Sequence, residues 1–309
     1  MDEHIRQRAN TGQQQEGYSL IEMMVSVAVL MIVSSTVFSG VTRLTNVNQT
    51  VHNRSEMHSG IRNATELLQQ EVGQAGRIAL PGEVTLAGAV TAGAGTVGVL
   101  SAAGMFVGEQ VIIDTGPNEE TVTLTAVNTG GNTITASFSA AHAAGAPVSV
   151  QGGFASGIVP TGVANGSSGT VLKIFGDING NGNMVYVEYT CDTVAGNLYR
   201  NAMSFDAAQS PQATVAQALL SNLLPNPDGT PCFTYQERAV AGTTFVTQVG
   251  MTVTVQTAAR DSVTRLFQTE TKALLNVAPR NVFHTWQFAS LGINNRVQPM
   301  PPSVQALLP

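Results

Sequence analysis

The chain opens polar, turns apolar for about one membrane thickness, keeps a helical rhythm, and then breaks into short alternating stretches. Residues 1–17 carry Arg6, Arg8 and a Gln-rich run, and they end at Glu16 and Gly17. Between residues 23 and 41 no charge interrupts the sequence, and Arg43 closes the run. A helix rises about 1.5 Å per residue, so roughly 20 residues cross a hydrocarbon core of about 30 Å. The stretch 18–41 is therefore long enough to span a bilayer. Gly17, the small residue at which such a leader would be cut, stands before the apolar stretch. In an ordinary secretory signal the cut follows it.

Beyond Arg43, Val47, Val51, Met57, Ile61, Ala64, Leu68, Val72 and Ala75 recur mostly at steps of three and four. That spacing lays one apolar stripe along a helix. Gly73, Gly76 and Pro81 end it. The pattern predicts a helix over 18–77, on the order of 90 Å long, whose outer half needs a surface to cover it.

From Gly82 onward Gly, Ala, Thr and Val dominate. Stretches 84–90, 110–116, 120–128, 132–139 and 146–152 read as short strands, with turns at 116–118 and 130–132. A second series, 170–177, 184–192, 197–201, 232–237, 244–258 and 262–277, reads as the main sheet. Its last two members form a long hairpin joined around 259–261. Stretch 215–224, VAQALLSNLL, reads as a short helix. The prediction is an α+β fold: a long N-terminal transmembrane helix packed on an antiparallel β-sheet domain, with an inserted small all-β module.

Charge narrows the function classes. There are 14 Lys and Arg against 20 Asp and Glu, a formal net charge of -6, and no basic run to neutralise a phosphate backbone. Direct nucleic-acid binding is not expected. His4, His52, His58, His142 and His284 show no metal-ligand spacing, and neither a serine elbow nor a phosphate loop occurs. The expectation is a protein that is not an enzyme and requires no cofactor.

One charge does not suit a plain anchor. Glu22 lies near the start of the apolar stretch, where a carboxylate at membrane depth costs about 2.5–3.5 kcal/mol without a partner. Cutting after Gly17 would create an α-amino group on Tyr18, one helical turn before Glu22. The string Gly17-Tyr18-Ser19-Leu20-Ile21-Glu22 resembles the prepilin signature of type IV pilins and pseudopilins. Tyr18 stands where that family commonly has Phe or Met, and Ser39 where major pilins carry a kinking Pro. The resemblance implies that prepilin peptidase cuts after Gly17, that Tyr18 becomes the N-methylated terminus, and that Glu22 guides subunits into a filament. The run 61–78, ending in Ala75-Gly76, is similar to the helix end of PilW-like minor pilins, as is the order of helix, strand pair, variable loop and closing strands.

On that resemblance the chain divides into a leader at 1–17, a transmembrane and extended helix at 18–80, an inserted β-module at 81–153, a pilin sheet domain at 154–283 and a C-terminal tail at 284–309. The implied function is a minor pilin that assembles into or primes a type IV pilus. The alternatives are a pseudopilin of a type II secretion system and a calcium-binding surface adhesin on a pilin stalk. Implied partners are other pilin subunits, prepilin peptidase and the inner membrane. The globular part would be extracytoplasmic, and later at the pilus or cell surface. In that compartment Cys191 and Cys232 are expected to form a disulfide; the alternative is two separate thiols.

One further pattern points to a ligand. Asp177, Asn179, Asn181 and Glu188, with Gly182, fit the spacing of a calcium loop, whose oxygen ligands alternate around the ion. The same letters suit a β-hairpin turn, because Asn and Gly accept left-handed backbone. Two readings stand: weak calcium binding, and a plain turn.

Overall fold

The computed structural model describes residues 17–208 and 216–308. Nearly all of the leader expected at 1–17 lies outside the described residues. The architecture is α+β, a long N-terminal helix leading into antiparallel sheets.

Helix α1, Leu20–Gln74, runs unbroken for 55 residues, about 80 Å at the usual rise. Its first half is bare, and burial begins at Met57. Met57, Ile61, Ala64, Leu68 and Val72 continue the apolar stripe into the core. Val47 and Val51 were expected on that stripe and are exposed instead. On their stretch of helix the partly covered residues are Asn46, Thr50 and Asn53, so the covered face continues at helical spacing with polar side chains. Gly76 ends the helix region at φ +80, where a Cβ would meet Val282 Cγ2 at 2.7 Å. Only glycine adopts that backbone without strain and leaves room for the approach.

The inserted module follows, with β1 (Val84–Thr85), β2 (Gly93–Gly98), β3 (Gln110–Ile113), β4 (Glu120–Thr123), β5 (Ala126–Asn128), β6 (Thr133–Phe138) and β7 (Pro147–Val150). They form two small antiparallel sheets, ordered β1-β7-β3-β4 and β2-β6-β5. Alternating residues such as Val111, Ile113, Val122, Ile134 and Val148 meet in a core of the module's own, as period-two patterning requires. Strand β8 (Gly153–Phe154) leads out of it.

The main domain contains β9 (Val171–Gly176), β10 (Val185–Asp192), β11 (Asn197–Ser204) and β12 (Gln217–Ser221), then β13 (Leu223–Leu224), β14 (Phe233–Val240), β15 (Thr243–Gln256) and β16 (Thr269–Val277). The first four order as β12-β11-β10-β9. In the second group β15 is central, with β13 and β14 along one edge and β16 along the other. Both groups bury apolar residues against α1, including Leu172, Val187, Tyr189, Val246, Met251 and Val253.

Two expectations are corrected here. Of the stretch 215–224, whose first residue lies outside the described residues, Gln217–Ser221 and Leu223–Leu224 are strands β12 and β13, not helix. Its Leu-rich composition fits either state. The chain kinks at Asn222, φ 59, and passes from one sheet to the other, where sheet pairing overrides local helical preference. The expected tail at 284–309 is also folded over its described residues, 284–308. Helix α2 (Arg280–Ser290) buries Val282 and Ala289, β17 (Val297–Gln298) pairs in parallel with β8, and α3 (Pro302–Ala306) carries Val304 into a cluster with Phe154 and Phe175. Pro301 and Pro302 start the short α3.

This C-terminal segment ties the parts together. Asn281 Nδ2 donates to the carbonyls of Gln74 at 3.0 Å and Ala75 at 3.4 Å, satisfying orphan acceptors at the end of α1. Gln298, fully buried, donates to the carbonyls of Gln110 and Gln151 at 2.8 and 3.0 Å and accepts from the Gln110 amide at 2.9 Å. One side chain thus joins the module to the main domain.

Candidate functional site: an exposed Gly17-Tyr18 bond before a bare helix

Gly17, Tyr18 and Ser19 precede the helix in non-helical backbone. Ser19 is the N-cap at φ -70 and ψ 145, and its carbonyl accepts from the amides of Glu22 and Met23 at 3.0 and 3.1 Å. The bond between Gly17 and Tyr18 is therefore in open chain: a Cβ on Gly17 would meet nothing within 4 Å, and Tyr18 is 85% exposed. A protease needs an extended, unencumbered segment, and helix would deny it the backbone. Glu22 lies in the first turn of α1, where the helix dipole and free amides favour negative charge. Tyr18 stands four residues before it in sequence, outside the helix.

Around this acid the helix surface is unpartnered. Leu20, Ile21, Met23, Met24, Leu30, Met31, Ile32 and Phe38 are all more than 60% exposed. Among the described residues this is the one helix long and apolar enough to cross a membrane, and no residue of its most apolar stretch is buried. In water such a surface would not persist. It calls for lipid or other apolar helices.

At the far end, α1 is held by a buried polar contact. Glu71 accepts from Arg200 Nη2 at 2.5 Å and Nε at 3.1 Å, and from the Tyr189 hydroxyl at 2.5 Å. Burial, followed by the Glu71 carboxylate, raises the pKa of Tyr189, so its proton stays in place. Burial alone would lower that of Arg200, but Glu71 outweighs it and holds the guanidinium charged. Sequence reading missed this trio. A clue was present: Glu71 sits beside Leu68 and Val72, an acid on the apolar stripe.

The disulfide expected between Cys191 and Cys232 is present, with Cα atoms 6.4 Å apart. It joins β10 to the start of β14. The four calcium-loop residues are only partly gathered. Asp177 is buried, accepts from the Asn181 amide at 3.0 Å and pairs with Arg77 Nε at 3.5 Å. Asn179 and Asn181 are exposed in the loop joining β9 to β10. Glu188 lies on β10, opposite Lys173 in register, held by that amine at 3.5 Å and by the Tyr186 hydroxyl at 3.0 Å. No cluster of three or more His, Cys, Asp or Glu suited to a metal occurs among the described residues.

Residues 12–38 match the prokaryotic N-terminal methylation motif. That is the segment containing Gly17, Tyr18, Glu22 and most of the bare apolar stretch. The match supports a type IV pilin-like protein, anchored by a single N-terminal helix. No curated protein and no solved structure matches the chain.

Proposed function

We propose that the protein is a minor pilin, cut by prepilin peptidase between Gly17 and Tyr18, that then assembles into or primes a type IV pilus. The observation that carries this reading is the juxtaposition at the head of α1. An exposed Gly17-Tyr18 bond in non-helical backbone stands just ahead of a helix whose first turn carries Glu22 and whose apolar surface is bare. Cleavage converts the end of the chain into a cation matched to Glu22. In a bundle of such helices, the acid of one subunit and the amine of the next would neutralise each other where water is scarce, which sets the register of packing.

A pseudopilin of a secretion system would use the same device, so the test compares phenotypes. A deletion strain is predicted to lose surface pili while retaining exoprotein secretion. Intact pili with failed secretion would assign the chain to the secretion apparatus. If the loop 177–183 takes calcium, it does so without Glu188, which is engaged by Lys173. Titration calorimetry at millimolar calcium tests that addition.

A further inference from the structure

The loop between β15 and β16, residues 257–268, is the part of the globular domain that covers α1 closest to the apolar stretch. Ser262 Oγ donates to the carbonyl of Asn46 at 3.4 Å, and the Thr50 hydroxyl bonds the Asp261 carboxylate. Asn46 is three residues beyond Arg43, where the apolar run ends, an axial distance of about 5 Å. The headgroup layer on each side of a bilayer is about as thick, the difference between roughly 30 Å of hydrocarbon and 40–45 Å in all. If α1 spans a bilayer, this loop stands at headgroup level.

Its composition suits that level. Val263 is 77% exposed, Leu266 68% and Phe267 39%, three apolar side chains within five residues on a loop that packing leaves uncovered. Arg260 stacks on the Phe267 ring with its guanidinium carbon 5.2 Å from the centroid, and Arg265 stands next to Leu266. The loop's only acid is turned inward: Asp261 accepts from the amides of Val263 and Thr264 at 2.9 and 2.7 Å and from Gln268 Nε2 at 3.2 Å. Its backbone closes the turn, with the Asp261 amide donating to the Leu266 carbonyl and the Arg265 amide to the Asp261 carbonyl, each at 2.9 Å. The negative charge is thus spent holding the loop's shape, while the apolar groups and two arginines face out. That combination matches the boundary between acyl chains and phosphates, where apolar groups enter and guanidinium groups remain with the anionic oxygens.

We propose that the β15–β16 loop is a second membrane contact, docking on the phospholipid headgroups of the leaflet from which α1 emerges. The inference rests on the reading of α1 as the membrane anchor. A single helix leaves the domain free to tilt and swivel above the bilayer. A second contact beside it sets one posture, so the subunit waits for assembly with a defined face toward its neighbours. Leaving the bilayer for a filament would then require release of Leu266 and Phe267 as well as of α1.

Depth-dependent fluorescence quenching tests this with the full chain in nanodiscs of phosphatidylcholine and phosphatidylglycerol. Starting from Trp286→Phe, which removes the only native tryptophan, single reporters are introduced as Leu266→Trp in the loop, Val33→Trp in the apolar stretch and Leu291→Trp beyond α2. Lipids brominated near the top of their acyl chains should remove most of the emission from Leu266→Trp, lipids brominated near the chain ends most of that from Val33→Trp, and neither should change Leu291→Trp. If Val33→Trp is quenched while Leu266→Trp behaves as Leu291→Trp, the anchor reading stands and the loop contact is overturned. If Val33→Trp is not quenched, the anchor reading fails and the proposal with it. A blue shift of Leu266→Trp that needs a second copy per disc and ignores bromine would assign the loop to a neighbouring subunit, again overturning the proposal.

Discussion

Arg200 on β11 grips Glu71 on α1 through both Nε and Nη2, across 129 residues of sequence. The pair fixes the sheet domain to the outer half of a helix whose apolar stretch, up to Arg43, is exposed. It converts an anchor and a domain into one lever, so a force or contact on the helix reaches the domain.

Removing one partner should therefore be costly. Arg200→Met leaves a buried carboxylate without its cation and is expected to destabilise by about 3 kcal/mol. Adding Glu71→Leu should recover part of that loss, because an apolar pair needs no charge compensation. Denaturant unfolding of the purified full chain, read for both variants, checks the order.

The inserted module carries a pH dependence in Glu109. Its side chain is buried, with Oε2 accepting from the Phe106 amide at 3.1 Å and Oε1 without a hydrogen-bond partner among the described residues. Burial pushes its pKa from 4.5 to about 8, against a smaller opposing pull from the Phe106 amide. The folded state thus holds a proton that the unfolded chain releases. Stability is complete below the unfolded value and falls as pH rises toward the folded one, by about 1.4 kcal/mol per pH unit. Glu109→Gln should abolish that slope, matching the parent in acid and exceeding it in mild alkali. Thermal melts across the range decide this.

His142 makes a second contribution of the same sign. It is buried between Glu120, 2.5 Å from Nε2, and Asp114, 3.3 Å from Nδ1. Burial lowers its pKa, but the two carboxylates outweigh burial and raise it overall. In Glu120, burial is outweighed by bonds from Ser139, His142 and Ala140, which bring its pKa to about 2. Stability from His142 is full below its unfolded value of 6.5 and fades as pH climbs through the raised folded value. That from Glu120 is present above 4.5 and fades only as pH falls toward about 2. His142→Gln should cost about 2 kcal/mol near pH 6 and less as pH rises through the raised folded value. Hydrogen exchange at the mutually bonded amides of Val90 and His142 would report the loosening locally.

Among these features, those set by neighbouring residues were legible in the sequence. The Gly17-to-Glu22 string, the uncharged run behind it and most β-strands depend on local spacing. Strand β2 was not legible, because its GAGTVG composition reads as a turn; pairing with β6 makes it a strand. The expected stripe failed at Val47 and Val51, since the domain meets that stretch of helix on the face of Asn46, Thr50 and Asn53, and apolar spacing alone does not show polar residues being covered. The Glu71–Arg200 pair and the Gln298 clamp join residues more than a hundred positions apart, and no local pattern announces such meetings. The C-terminal segment was misread for the same reason. Its Pro residues are local signals, while its buried Val304 and Leu307 answer to Phe154 and Phe175.

The Cys191–Cys232 bond should be structural. It closes a span of 41 residues, for which loop entropy predicts about 3–4 kcal/mol of stabilisation. Native protein is expected to show no alkylatable thiol, and reductant should lower its melting temperature. Two free thiols in unreduced protein would contradict an oxidising location for the domain.

The most direct test of the account is intact-mass and N-terminal fragment analysis of the protein isolated from its own cells. The prediction is a chain beginning at Tyr18, heavier by one methyl group, and a Gly17→Ala variant that keeps the leader. A mature protein still carrying residues 1–17 would contradict the proposed processing and the pairing of a new amine with Glu22.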